Sequence, residues 1–245
     1  MERNRAAFCN VSQYVLHSPF VEDHPLIDRL HHFIANPQFP CVGAKSALSK
    51  RQIKAVVARS ITSAWNDLQV HAALMRFVGD YRRDRKLFQS LAVIFEGPRS
   101  LDEKHFEQAL WSRVQSMTDK DKWLGQDYDK SVSTDPANPH FSLSFAGEAF
   151  FVVGLHPRAS RKARRFAAPT MIFNLHDQFE RLRAEGRYEK LRASILGRDK
   201  RYSGSLNPML ARHGEASEAR QYSGRAVEGD WRCPFDYHGE LRDAA

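Results

Sequence analysis

Residues 140–157, HFSLSFAGEAFFVVGLHP, commit the chain to a sheet. Phe141, Leu143 and Phe145 alternate with polar residues, which is the period of a half-buried strand. Ala146-Gly147-Glu148 supplies turn chemistry, and Phe150 to Leu155 form a second, more apolar strand. The pattern predicts an antiparallel hairpin that ends at His156-Pro157. Proline fixes the backbone and lacks an N–H, so the histidine is held where the strand leaves the sheet. Five of the next eight residues are basic: Arg158, Arg161, Lys162, Arg164 and Arg165. So much positive charge beside a strand end calls for an anion: nucleic acid, a phosphorylated ligand, an acidic membrane surface or haem propionates.

Working outward, LAVIFEGP reads as a buried strand stopped by Gly97 and Pro98. A helix follows, in which Ser100 and Glu103 make a capping box and Phe106, Leu110, Val114 and Met117 share a face. A helix starting near Asn66 is expected from Leu74, Phe77, Val78 and Tyr81. Asp23 is the expected cap of a short helix whose face is Leu26, Ile27, Leu30, Phe33 and Ile34. Asn174 is the expected cap of a helix running to Ala184 and stopped by Gly186. The stretch PQFPCVGAKSALSK reads as loop, and residues 118–139 as a long polar surface loop with room for a short helix around Trp123. The tail after Arg198 is too polar to build its own core and is expected to wrap over the body. Strands and helices lack regular alternation, so the expected fold is α+β: one domain over residues 1–245, an antiparallel sheet with surrounding helices.

The chain has 245 residues, 42% of them hydrophobic, and a net charge of +8. That suits a globular protein that meets anions. Three cysteines, Cys9, Cys41 and Cys233, are no disulfide framework and predict a reducing, cytoplasmic setting. The first ten residues hold no apolar run of signal-peptide length, and no run elsewhere is long enough to span a bilayer, so no membrane partner is expected. P-loop, GxGxxG, GxSxG, CxxC and HExxH motifs are absent. His31-His32 are adjacent on a helix and cannot easily share a metal, so they read as a solvated pair. A nucleic-acid partner is disfavoured. The basic run has no aromatic residues spaced for stacking, and 29 acids offset the charge elsewhere.

A neutral imidazole at His156 is a candidate axial ligand for haem iron, with nearby arginines on the propionates. A structural histidine at a strand end is the competing reading. Cys41 and Cys233, each beside a proline, are the candidate soft ligands; each also reads as a small buried hydrophobe.

The segments FPCVGAKSAL, GLHPRASRKARRF, FNLHDQFERLR, NPMLARHGEASEARQYSGR and WRCPF together resemble the YqcI/YcgG family. They run from Phe39 to Phe235. The resemblance implies a haem-dependent N-oxygenase that binds haem b and takes O2 and electrons from a donor. Its implied substrate is a small molecule with a guanidine or amine, arginine-like, in specialised metabolism. His156 is then the iron ligand, with Arg158, Arg161 and Arg165 on the propionates and Cys41 in the cofactor site. Cys233, His176 and His213 stay open as alternative ligands. A guanidinium is always protonated in water, so a carboxylate must bind it and take a proton. Glu215 and Glu218 are the candidates, with Glu148 as a further option and Arg220 or Arg225 for the substrate carboxylate. A haem- or anion-binding sensor or carrier without catalysis is the alternative from a different class. A nucleic-acid accessory role rests on charge alone.

Overall fold

The computed structural model describes residues 19–209 and 214–237. Cys9 and His213 lie outside the described residues. Helix α1 (Pro25–Ala35) is followed by α2 (Val42–Ser49), β1 (Ile53–Ser60) and α3 (Asp67–Arg83). Then come β2 (Ser90–Gly97), α4 (Glu103–Trp123), β3 (Leu143–Phe145), β4 (Glu148–Leu155) and β5 (Thr170–Leu175). Helices α5 (His176–Ala184), α6 (Tyr188–Ser203) and α7 (Ala219–Tyr222) complete the described elements.

The fold is α+β, built on a five-stranded sheet of order β1-β2-β5-β4-β3. All neighbours are antiparallel except β1 and β2, which run parallel. The sheet is therefore mixed, where the hairpin alone had suggested an antiparallel one. A parallel pair needs a crossover, and α3 provides it between β1 and β2.

The hairpin forms as expected, with Phe145 opposite Glu148. Ala146 and Gly147 both take positive φ, 53° and 75°, which is the backbone of a two-residue turn matched to strand twist. Arg82 braces this turn by donating to the Ala146 carbonyl at 2.8 Å and pairing with Glu148 at 2.7 Å. Gly147→Ala should cost about 1–2 kcal/mol, the penalty of a side chain in the left-handed region. Urea unfolding of the two proteins measures it.

One face of the sheet is covered by α3 and α4. Phe77, Tyr81, Phe106, Leu110 and Phe150 meet Val93, Phe95, Met171 and Phe173 in this core. The tail closes it, as its composition suggested: Phe235 packs on Trp111 and Phe141. The opposite face carries α1 and α2 in a smaller cluster with Leu30, Ala92, Ile94, Leu155 and Phe166.

Several local expectations are corrected. Asp102, not Ser100, caps α4, accepting from the His105 N–H at 2.8 Å. His24 rather than Asp23 caps α1 through its Nδ1. Cys41 and the residues after it form α2, not a loop; the Cys41 sulfur caps it by accepting from the Ala44 N–H at 3.4 Å. Asn174 lies in β5, because pairing with β2 and β4 outweighs its capping preference. Polar residues 118–123 continue α4, since Thr118 and Asp121 are buried against neighbours. No helix among the described residues is long and apolar enough to cross a membrane.

Candidate functional site

The alternation of β4 sends Phe150, Val152 and Gly154 toward α4. Gly154 is required there. A Cβ would stand 2.7 Å from the Phe106 ring and 2.9 Å from the Tyr222 carbonyl oxygen. His156 follows on the same side, its ring stacked on Phe106 with centroids 4.4 Å apart and planes 18° off parallel. Its N–H donates to the Arg164 carbonyl at 3.0 Å, and its own carbonyl accepts from Ala159 at 3.3 Å. His156 is 1% exposed, and its Nδ1 has no hydrogen-bond partner among the described residues.

Burial pushes the His156 pKa down to about 4; the Glu103 carboxylate opposes this and the Arg164 guanidinium adds to it. The ring is neutral at pH 7. The unfolded chain takes up this proton near pH 6.5, the folded one only near 4. Between those values the unfolded state holds one more proton, so stability falls as pH drops through that window and levels off below it. The loss is roughly 3 kcal/mol. Denaturant unfolding across pH 4–7 measures it, and a His156→Gln protein should show a flatter profile.

The heads of the basic run are already engaged. Arg158 donates to the Ser100 carbonyl at 3.0 Å, and Arg165 to the Ala159 and Ser160 carbonyls at 2.9 and 3.0 Å. Arg161 pairs with buried Asp199 at 2.5 Å. Arg158 and Arg165 are exposed and hold only carbonyls, so they are exchangeable. Arg161 is locked in a desolvated pair.

The two predicted glutamates stand elsewhere. Glu218 is buried and accepts from the Ser142 hydroxyl at 2.7 Å and the Tyr222 hydroxyl at 3.5 Å. Its other oxygen lies 3.8 Å from His176 Nε2. Tyr222 also reaches the Phe150 carbonyl at 3.3 Å, so this cluster sits at the start of β4. Six residues separate Phe150 from His156, roughly 20 Å along a strand. Glu215 lines an adjoining surface cleft of about 570 Å³ with Ser217, Arg220, Trp231 and Cys233. Arg220 lies over the Trp231 ring and donates to the Glu228 carbonyl. Arg225 is paired with buried Glu107 at 2.9 Å, and Glu148 with Arg82 at the hairpin turn.

Neither cysteine stands ready as a thiolate. Burial raises the Cys41 pKa, and it raises that of Cys233 to about 12. Cys41 packs with the α1–α2 cluster, on the face away from His156. His31 and His32 are at the surface of α1, with His32 Nδ1 2.7 Å from the Asp28 carbonyl oxygen.

The family model described as YqcI/YcgG matches residues 30–236. The chain belongs to the YqcI/YcgG family. It is 23% identical over 209 residues to the uncharacterized protein YcgG of Bacillus subtilis (strain 168), covering 81% of each chain. It is 26% identical over 208 residues to the uncharacterized protein YqcI of the same strain, covering 81% of this chain and 80% of that one. No solved structure matches. In this family member the motifs that carried the resemblance converge: GLHP and its basic loop meet QYSGR through Arg164, which donates to the Gly154, Gln221 and Tyr222 carbonyls.

A haem iron asks the protein for one axial donor, and a neutral, buried imidazole with a bare nitrogen has the right chemistry. His156 has that donor, but its ring is buried and stacked on Phe106, so an iron would reach it only if the packing around the ring opened. The arginine run fits the propionates only in part, through exposed Arg158 and Arg165. Sequence reasoning missed Ser142, Tyr222 and Arg164. Only Arg164 left a signal, as a basic residue inside the run; the other two are ordinary residue types without a spacing rule.

Proposed function

We propose that this chain is a haem-dependent oxygenase that N-hydroxylates a guanidine or amine group of a small, arginine-like substrate. The observation that carries the reading is the neutral, buried His156 whose Nδ1 has no hydrogen-bond partner among the described residues. The family motifs that surround it support the same reading. Haem b, when bound, would supply the iron at which O2 is activated with two electrons from an external donor and two protons from solvent. The nitrogen gains one oxygen atom as N–OH, and the second leaves as water.

The chain's own residues do the rest. His156 would hold the iron through its imidazole, and Arg158 and Arg165 would exchange their carbonyl partners for the haem carboxylates, a stronger, charge-assisted bond. A protonated guanidine must lose a proton as oxygen is transferred, so a carboxylate has to face it. Glu218, held by Ser142 and Tyr222, and Glu215 in the neighbouring cleft are the proposed groups. With His176 as donor Glu218 is adjacent.

Titrating haemin into the purified protein is the first test. A saturable Soret band at one haem per chain is expected, and its absence overturns the reading. Turnover of arginine or a related amine with reductant and O2, followed by mass, then separates oxygenase from a haem sensor or carrier. Binding without a product sixteen mass units heavier leaves the carrier.

A further inference from the structure

The guanidinium of Arg164 is packed away from water far enough that desolvation lowers its pKa to about 10, although the residue keeps some surface. Its partners among the described residues are carbonyls rather than carboxylates. One nitrogen donates to the Gly154 carbonyl and to the Tyr222 carbonyl, both at 3.1 Å; the other donates to the Gln221 carbonyl at 3.0 Å. Its own carbonyl accepts the His156 N–H at 3.0 Å. One residue thus holds the strand two positions before His156, the His156 backbone itself, and the end of α7.

Two glycines make room for this arrangement. At Gly154 the strand backbone approaches the Tyr222 carbonyl so closely that a Cβ would stand 2.9 Å from it. Gly224, at φ +87°, lies against the Arg164 stem, where a Cβ would touch Cγ and Cδ at 3.4 Å. The loop after α7 is therefore shaped around this side chain. Helix α7 begins immediately after Glu218 and contains Tyr222, so whatever fixes its end also fixes the glutamate cluster.

We infer that Arg164 is a positioning residue whose guanidinium fork fixes the strand end carrying His156 against α7, so that His156 and the Glu218–Tyr222 cluster keep one relative position. The inference rests on His156 and Glu218 both belonging to the proposed site. A planar fork with donors on separate nitrogens can serve three carbonyls from two elements at once. A lysine ammonium is one point on a flexible stem and cannot span them.

The test uses the full chain without haem, with labelled histidine and tyrosine followed by NMR at pH 7. Arg164→Lys should shift the ring signals of both His156 and Tyr222. In Arg164→Ala both should shift, and added guanidinium at concentrations too low to denature should restore them while ammonium does not. Rings that stay at their wild-type positions in Arg164→Lys overturn the inference, as does movement of His156 alone. Equal rescue by ammonium also overturns it, because a fork would not be needed. If Arg164→Ala does not fold, the lysine protein carries the same reading. Coupled movement in a protein that never takes up haem would instead sink the proposed function and leave the clamp standing.

Discussion

His156→Ala is expected to lower haem affinity by roughly a hundredfold or more and to remove the imidazole signature from the visible spectrum. Loss of a residue that merely supports a metal ligand costs about 10–100-fold in affinity, and loss of the ligand itself should exceed that. The protein should still fold, because the ring makes one stack with Phe106 and its Nδ1 makes no hydrogen bond. Haemin titration of wild type and variant, with a melting curve for each, separates ligand loss from unfolding. A wild-type spectrum in His156→Ala would move the donor. His176→Ala, Cys41→Ser and Cys233→Ser then identify where it went. Loss in the His176 variant places the iron beside Glu218 and brings the proposed base within reach. Loss in a cysteine variant requires a thiolate formed against the burial that now keeps both thiols protonated.

Asp67→Ala is expected to be the most damaging of the stability changes. Asp67 opens α3 and pairs with Arg113 of α4 at 2.6 Å, both buried. The contact is made by one terminal nitrogen of Arg113, and its Nε has no hydrogen-bond partner among the described residues. Removing the carboxylate strands a guanidinium in the core, and breaking a buried pair from one side costs about 3–5 kcal/mol. For a chain of this size that is about 10 °C in Tm. Asp67→Asn should cost less, since the amide oxygen still accepts. Asp67→Ala combined with Arg113→Met should recover most of the loss, because no charge is then left unpaired. A single-variant loss below about 1 kcal/mol would mean that water reaches Arg113 in solution. A second buried pair ties the same helices: His71 of α3 meets Asp121 of α4 at 2.7 Å, and Asp121 also accepts the Ala146 N–H of the hairpin turn at 2.9 Å. Charges at these positions look like surface residues in a linear reading. They are interior because α4 is covered by α3 on one side and by the C-terminal tail on another.

The hairpin, β2, α3 and the body of α4 were legible in the sequence because each carries its own period. Alternation, a continuous apolar run and an i, i+3, i+4 stripe are local statements about which side of an element meets water. The strand end at His156-Pro157 was legible for the same reason, since proline acts on the residue before it. Strands β1 and β5 were not. IKAVVARS and TMIFNL become strands by pairing with β2, a contact between residues far apart in the chain. The parallel direction of β1 belongs to the same class, because it depends on where α3 crosses.

Residue chemistry, taken alone, marked His156 and the basic run, and the resemblance of five segments gave the family and singled out Glu218. What these groups face is set by how the elements pack. Arg161 found Asp199 on α6, Arg225 found Glu107 on α4, and Glu218 found Ser142, at separations no local pattern encodes. A charged side chain in a sequence carries its donors and acceptors but not its partners. Partners are set by which elements the apolar core brings together, and the core here brings Arg164, which the run hid among its neighbours, between His156 and α7.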